Sequence, residues 1–330
     1  MARPQTSPTD CVSRFEIEEL FFSTTDRAGV IRSGNEVFRR VSAFETIEDL
    51  IGKPHNVIRH PDMPRAVFRL MWDHLEADKV IAAYVKNMAL DGSFYWVFAL
   101  VIPIPDGYLS IRFKPSSPIL KVVEGLYKNL RKIEQESGEQ PKLREAGMRN
   151  AGGALLEAVK GLGFDNYDDF AQVALATELA SRSRVLGNVE RMTTKATGTL
   201  ANRLEMCYDN AETLDAMFQR VDVFLTLISQ LQSKSVFLTN LSRQINLLSL
   251  NSMIACSKMC EAGRGLAIVA DRLAAISRQC MTVIGNMTNG IQELISSLRE
   301  TAFQICAAKL QVETSIVFLK ELLMGESETV

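Results

Sequence analysis

The sequence has 330 residues, and its 37 Lys and Arg against 39 Asp and Glu leave a net charge of only −2. That balance argues against nucleic acid as the main partner, which calls for a basic face. The N-terminal stretch carries Pro4, Pro8, Asp10 and Glu16 without the apolar core of a signal peptide, and the longest apolar run, Trp96 to Pro105, is too short to span a bilayer. The expectation is a cytoplasmic protein with no membrane insertion.

Residues 1–19 form an N-terminal cap. Residues 20–116 read as a mixed module, because they hold all the histidines and tryptophans and most of the prolines. Leu20 to Thr25 and Gly29 to Arg32 are predicted strands around the turn Asp26-Arg27-Ala28-Gly29. Short helices are expected over Asn35 to Ser42 and Thr46 to Leu50. Met63 to Glu76 has apolar residues at 67, 68, 71, 72 and 75, a helical stripe. Ile81 to Met88, Ser93 to Ile104 and Tyr108 to Lys114 are three antiparallel strands joined by Asp91-Gly92 and Asp106-Gly107 turns. Both faces of strand 93–104 are apolar: Phe94, Trp96, Phe98, Leu100 and Ile102 on one, Tyr95, Val97, Ala99 and Val101 on the other. One face should close a cavity, and the other should dock a helix or a second subunit.

Residues 117–166 read as a connector helix and linker, the helix over 117–136 with Val122, Val123, Leu126, Leu130 and Ile133. It is broken at Ser137-Gly138-Glu139-Gln140-Pro141 and followed by a loose stretch around Gly147, Gly152 and Gly153. Beyond Pro141 there is no proline, and from Tyr167 the pattern is continuously helical. Met217, Phe224, Leu231, Leu238 and Ile245 set a register, with Leu227, Leu241 and Leu248 as companions. After Gly263 and Gly265, the residues Leu266, Val269, Leu273, Ile276, Cys280, Val283 and Met287 alternate by three and four. Two coiled-coil arms around a glycine turn predict an antiparallel hairpin over 167–330, with its tip near 244–271. The six cysteines, at 11, 207, 256, 260, 280 and 306, lack a framework spacing and are expected as thiols. Cys256 and Cys260 lie one helical turn apart and read as small filler, with a metal or oxidation role as the alternative.

The densest cluster of functional side chains is His55-Asn56-Val57-Ile58-Arg59-His60-Pro61-Asp62-Met63-Pro64. With Asn35-Glu36-Val37-Phe38, Lys86-Asn87, Tyr95-Trp96 and Tyr108-Leu109-Ser110-Ile111-Arg112, it resembles the FAD-binding PAS domain of bacterial aerotaxis receptors. The resemblance implies an α+β PAS fold, an antiparallel sheet with helices on one face. It also implies FAD as cofactor, held by Asn35, Arg59, His60 and Asp62. An arginine at 59 suits a diphosphate or carbonyl oxygen, and Trp72 can wall an aromatic ring. Each has a plainer reading beside this one: Asp62 as the N-cap of the helix from Met63, His60 and Trp72 as core, and His74 as an exposed polar residue.

Gln244-Ile245-Asn246-Leu247-Leu248-Ser249-Leu250-Asn251, followed by Glu261-Ala262-Gly263-Arg264-Gly265-Leu266-Ala267, resembles the hairpin tip of methyl-accepting chemotaxis proteins. In that family the tip packs receptors together and engages the kinase CheA and the adaptor CheW. The resemblance makes Arg243, Gln244, Asn246, Leu247, Leu248, Asn251, Lys258, Glu261 and Arg264 the candidate partner contacts. Arg243, Ala255 and Lys258 depart from the family pattern, and neither arm carries paired methylation sites. No dinucleotide fingerprint, nucleophile elbow or metal set is present in the sequence. The sequence therefore predicts a homodimeric, non-enzymatic redox or energy sensor acting on chemoreceptor arrays. The alternative is a cofactor-free PAS adaptor whose hairpin recruits array components.

Overall fold

The computed structural model describes residues 6–138, 140–187, 198–257 and 264–328. They divide into two units, Met1–Gln219 with Ala302–Val330, and Arg220–Thr301.

The first unit is built on a five-stranded antiparallel sheet of order β2-β1-β5-β4-β3. Its strands are β1 (Phe21–Asp26), β2 (Ile31–Gly34), β3 (Ile81–Met88), β4 (Phe94–Ile104) and β5 (Gly107–Phe113). The β1–β2 turn closes because Asp26 Oδ1 accepts from the backbone N–H of Ala28 and Val30, both at 2.9 Å. Its Gly29 takes φ 77°, and a Cβ there would lie 3.0 Å from the Trp72 ring. That close approach seats the tryptophan. Helices α1 (Glu36–Val41) and α2 (Arg65–Glu76) follow β2, with a single 3₁₀ turn over His55–Ile58 between them. The helix expected over Thr46 to Leu50 is a set of turns instead. There Asp49 Oδ2 accepts from both the N–H and the hydroxyl of Thr46 at 3.1 Å, which closes the backbone locally.

Strand alternation sorts the sheet into two faces. Ala99 and Val101 of β4 turn toward α2. Trp96 and Phe98 turn the other way, and helices of the same chain cover them. Tyr127 of α3 (Ile119–Glu136) lies against Trp96 and donates to Tyr84 O at 3.0 Å. Tyr167, which opens α5 (Tyr167–Leu186), donates to Ala82 O at 3.3 Å. Phe22 of β1 meets Phe318 near the end of α8 (Arg264–Glu328) edge to face, with ring centroids 5.8 Å apart.

The stretch expected to be loose is a 21-residue helix, α4 (Pro141–Gly161), with Gly147, Ala151, Leu155 and Val159 buried. A Cβ on Gly147 would sit 2.7 Å from Ser137 Cβ, so the glycine lets α4 close against the end of α3. His74 is not simply exposed either. Its Nε2 meets Asp168 Oδ1 at 2.6 Å, tying α2 to the start of α5.

Helix α6 (Thr199–Phe218) pairs antiparallel with the end of α8. Lys309 bonds Asp215, Lys320 lies over Tyr208, and Leu204, Tyr208, Ala211 and Ile316 share one core. Arg182 of α5 reaches Glu313 at 2.6 Å, and Glu313 pairs with Lys309 at 2.8 Å, a buried ionic network. Cys11, Cys207, Cys280 and Cys306 are free thiols.

The second unit consists of α7 (Val221–Ser257) and the early part of α8. The register residues Phe224, Leu231, Leu238 and Ile245 are half-buried, as expected. Of their companions, Leu241 is half-buried too, but the others differ. Val221, Ile228, Ser235 and Ser249 are buried, whereas Leu227 and Leu248 remain exposed. In α8 the seam is likewise displaced by a residue. Met281, Ile284, Thr288, Ile291 and Ile295 turn inward, while Val269, Ile276, Val283 and Met287 stay exposed and Cys280 is half-buried. In α7, Ser235 and Ser249 take buried positions while the larger Leu227 and Leu248 stay wet. Between Arg278 and Met324, α8 is long and apolar enough to cross a membrane (mean hydropathy 1.3 in its most apolar window), and 56% of that window is buried against the protein.

Candidate functional site

Between the inner face of the sheet and α2 lies a cavity of about 470 Å³, within the range of small-molecule sites. Val85, Ala99, Val101, Met71 and Leu75 give it apolar walls, and Trp72, Phe68 and Tyr108 add aromatic ones. Trp72 meets Tyr108 edge to face with centroids 5.8 Å apart. Met148 of α4 also lines it, so the helix that the sequence disguised as a linker forms part of its wall.

The sheet supplies a polar floor. Thr25, Ser110, Asn87 and Arg112 all point inward from their strands. Arg112 is 2% exposed; its Nη2 donates to Ser23 Oγ at 2.8 Å and to His55 Nε2. Burial lowers its pKa to about 10, and burial together with Arg112 holds His55 well below the usual imidazole value. Because a guanidinium can only donate, His55 Nε2 carries the lone pair and the ring is neutral with its proton on Nδ1. Two buried donors on this floor, Arg112 Nη1 and Asn87 Nδ2, have no hydrogen-bond partner in the protein. Buried polar groups are rarely left so, and two on one cavity wall mark a ligand edge rich in acceptors.

The rim is basic. Arg59, Arg65 and Arg69 line the cavity. Arg59 Nη2 donates to Met63 O at 2.9 Å, and its guanidinium stacks 4.3 Å from the Phe68 ring centre. Both contacts fix its plane.

Of the residues singled out from sequence, Arg59 and Trp72 line the cavity; Asn35, His60 and Asp62 do not. Asn35 caps α1: its Oδ1 accepts from Phe22 N and Phe38 N, and its Nδ2 donates to Leu20 O and Glu321 Oε1. His60 is buried, and its Nδ1 accepts from Asp62 N at 3.1 Å. Asp62 does not cap α2. It pairs with Lys86 at 2.9 Å; burial raises its pKa, but Lys86 outweighs that and leaves it lowered. The first turn of α2 is capped instead by the buried Glu134 of α3, which accepts from Ala66 N at 2.9 Å. Sequence reasoning missed His55, Asn87 and Arg112 as site residues. For Asn87 and Arg112 the signal was polar residues at alternate strand positions facing an apolar helix; His55 lies in the 3₁₀ turn and gave none of that kind.

Of the proposed partner contacts, Arg243, Gln244, Leu247, Leu248 and Asn251 are exposed on α7, and Asn246 is half-buried. Arg264 opens α8; Lys258 and Glu261 lie outside the described residues.

Residues 45–109, which hold much of this sheet and cavity, match the PAS fold family. Over 118 residues the chain is 41% identical to the aerotaxis receptor of Escherichia coli strain K12, a match that covers 34% of this chain and 23% of that one. It is 28% identical over 128 residues to the methyl-accepting chemotaxis protein PscA of Pseudomonas syringae pv. tomato, covering 39% and 19% of the two chains. With McpN of Pseudomonas aeruginosa it shares 34% identity over 112 residues, 34% of this chain and 18% of that one. The chain thus spans less than a quarter of the length of these relatives.

Proposed function

We propose that the chain is a non-enzymatic, cytoplasmic redox or energy sensor whose PAS cavity holds FAD and whose helices pass its state to chemotaxis-type partners. The observation that carries this reading is the cavity itself: aromatic and apolar walls, a floor with two unpartnered donors, and a basic rim. That division suits an amphiphilic ligand with a planar acceptor-bearing ring at one end and phosphates at the other. Trp72 and Phe68 would flank the ring, Asn87 and Arg112 would meet its polar edge, and Arg59 with Arg65 would face the phosphates. When bound, FAD supplies a ring whose charge and hydrogen bonding depend on its oxidation state. Asn35, His60 and Asp62 act as supports. Asn35 joins β1 to α1, while His60 and Asp62 brace the segment that carries Arg59 against β3. The similarity to the aerotaxis receptor supports the same reading.

Output would run through a homodimer. The exposed stripes Leu227 and Leu248 on α7, and Ile276, Val283 and Met287 on α8, give apolar surface that a single chain leaves wet. The antiparallel pairs Asp215–Lys309 and Tyr208–Lys320 bring the end of α8 back along α6, which supports the hairpin reading. The exposed Arg243, Gln244, Leu247, Leu248 and Asn251, with Asn246, Lys258, Glu261 and Arg264, would then meet receptor arrays and CheA- or CheW-type proteins.

An absorbance spectrum of the purified chain tests the cofactor. Flavin bands are expected, and Arg59→Ala should release flavin from a domain with unchanged circular dichroism. A colourless protein that takes up no added FAD refutes the sensor reading and leaves the adaptor. Light scattering at micromolar concentration tests the dimer, and a monomer refutes that step.

A further inference from the structure

We infer that Arg112, steadied by His55, receives the acceptor-rich edge of the bound ring and raises the affinity of that ring for electrons. The inference rests on the flavin reading above and deepens it, because it assigns the residue that sets the ligand's redox poise.

The argument starts from a contrast between two buried arginines. Arg182 is 6% exposed and has a carboxylate at 2.6 Å, Glu313. Arg112 is 2% exposed and has none. Its partners are the Ser23 hydroxyl, the neutral His55 ring and the faces of Phe21 and Phe38, at 5.7 and 5.1 Å from the guanidinium. The elements packed around it thus offer lone pairs and π-faces, and Tyr95 of the neighbouring strand β4 keeps its proton because burial raises its pKa to about 12. A cation taken out of water without an anion is costly, and such a site persists where a ligand completes it.

Two details give the site direction. His55 and Ser23 take only Nη2, so Nη1 is left unpartnered beside the cavity. Asn87 Nδ2, on the same floor, is a second unpartnered donor. Two donors and one fixed positive charge select a ring edge that carries carbonyl or imide-type acceptors and that gains negative charge when the ring takes up electrons. A guanidinium is pre-organised for such an edge, and its charge acts strongly where water is excluded.

The test uses the full chain loaded with FAD, with Arg112→Gln and Arg112→Lys compared by flavin fluorescence titration and by midpoint potential against reference dyes. Circular dichroism controls the fold. Arg112→Gln should weaken FAD binding about 10- to 100-fold, as loss of a charged hydrogen bond does. It should also lower the potential of the flavin that remains bound, by about 30 mV for each tenfold loss of preference for the two-electron-reduced form. Arg112→Lys should hold the potential near that of the wild type. Should Arg112→Gln fail to fold, Ser23→Asp places a carboxylate at the 2.8 Å contact and leaves the guanidinium, and it should lower the potential likewise. An unchanged potential in whichever of these variants folds overturns the inference and leaves the flavin reading intact. A wild-type chain that takes up no added FAD overturns both.

Discussion

Glu178, in the middle of α5, is fully buried and accepts four hydrogen bonds with no cation among them. The Tyr84 and Ser117 hydroxyls donate to Oε1, each at 2.7 Å, and the backbone N–H groups of Ser116 and Ser117 donate to Oε2 at 2.7 and 3.0 Å. The carboxylate thereby pins the start of α3 and the middle of β3 to α5. Glu178→Ala leaves two backbone amides that cannot turn away and two hydroxyls that can. At about 1–3 kcal/mol per buried group left unsatisfied, the loss should come to about 4 kcal/mol. Glu178→Gln has one good solution: the amide oxygen takes the Oε2 place, and the NH₂ group faces the hydroxyls, which rotate to accept. Only the charge is lost, about 1–2 kcal/mol. Urea unfolding followed by tryptophan fluorescence reads this directly, since the chain's two tryptophans, Trp72 and Trp96, both lie in the first unit. A glutamine variant as unstable as the alanine one, or an alanine variant within about 1 kcal/mol of wild type, refutes the reasoning.

Glu313→Ala should cost about 3 kcal/mol in the same assay, because Arg182 and Lys309 lose a shared buried anion. Burial raises the Glu313 pKa, but the charges of Arg182 and Lys309 outweigh it and leave it lowered. Its stabilisation should therefore be full above the ordinary glutamate pKa and fade as pH falls through the lowered one; acid titration of the wild type and Glu313→Gln should converge there. For His74 the sign is opposite. Its hydrogen bond with Asp168 raises its pKa, so its contribution is complete below the ordinary histidine pKa and is lost as pH rises through the raised value. Urea midpoints of wild type and His74→Gln, taken across that window, should approach each other toward the alkaline side. Gly147→Val should cost about 1–3 kcal/mol, since the new side chain meets Ser137. Iodide quenching of Trp72 should increase as α4 loosens; unchanged quenching argues that α4 does not shield the cavity.

The sheet was legible because its strands alternate and its turns carry Asp-Gly pairs, which fix where each strand ends. Ile81 to Met88 comes out to the residue. Helix α4 was not legible, because glycines at 147, 152 and 153 read as looseness when one of them serves close packing. The register Phe224, Leu231, Leu238 and Ile245 was legible in α7. Companion positions there, and the seam of α8, were placed one residue out because the larger apolar side chains drew the pattern, while Ser235 and Ser249 hold buried positions in α7. At the site, motif density pointed to Arg59 and Trp72, which line the cavity. It also drew in Asn35, His60 and Asp62, which support the wall, and it passed over Arg112, an isolated charge whose meaning depends on what fails to pair with it.

The contact of Phe318 and Glu321 with Phe22 and Asn35 joins positions almost three hundred residues apart. Loop closure over such a distance delays the contact relative to the local hairpins of the sheet. During synthesis, the sensor strands can pair as soon as Phe113 has left the ribosome, but the outer side of β1 must wait for the last helix. Until then Phe22, which the finished protein buries, is open to chaperones or to a neighbouring nascent chain. The order of synthesis thus leaves this side of β1 open to misassembly, and the arrival of α8 ends that exposure.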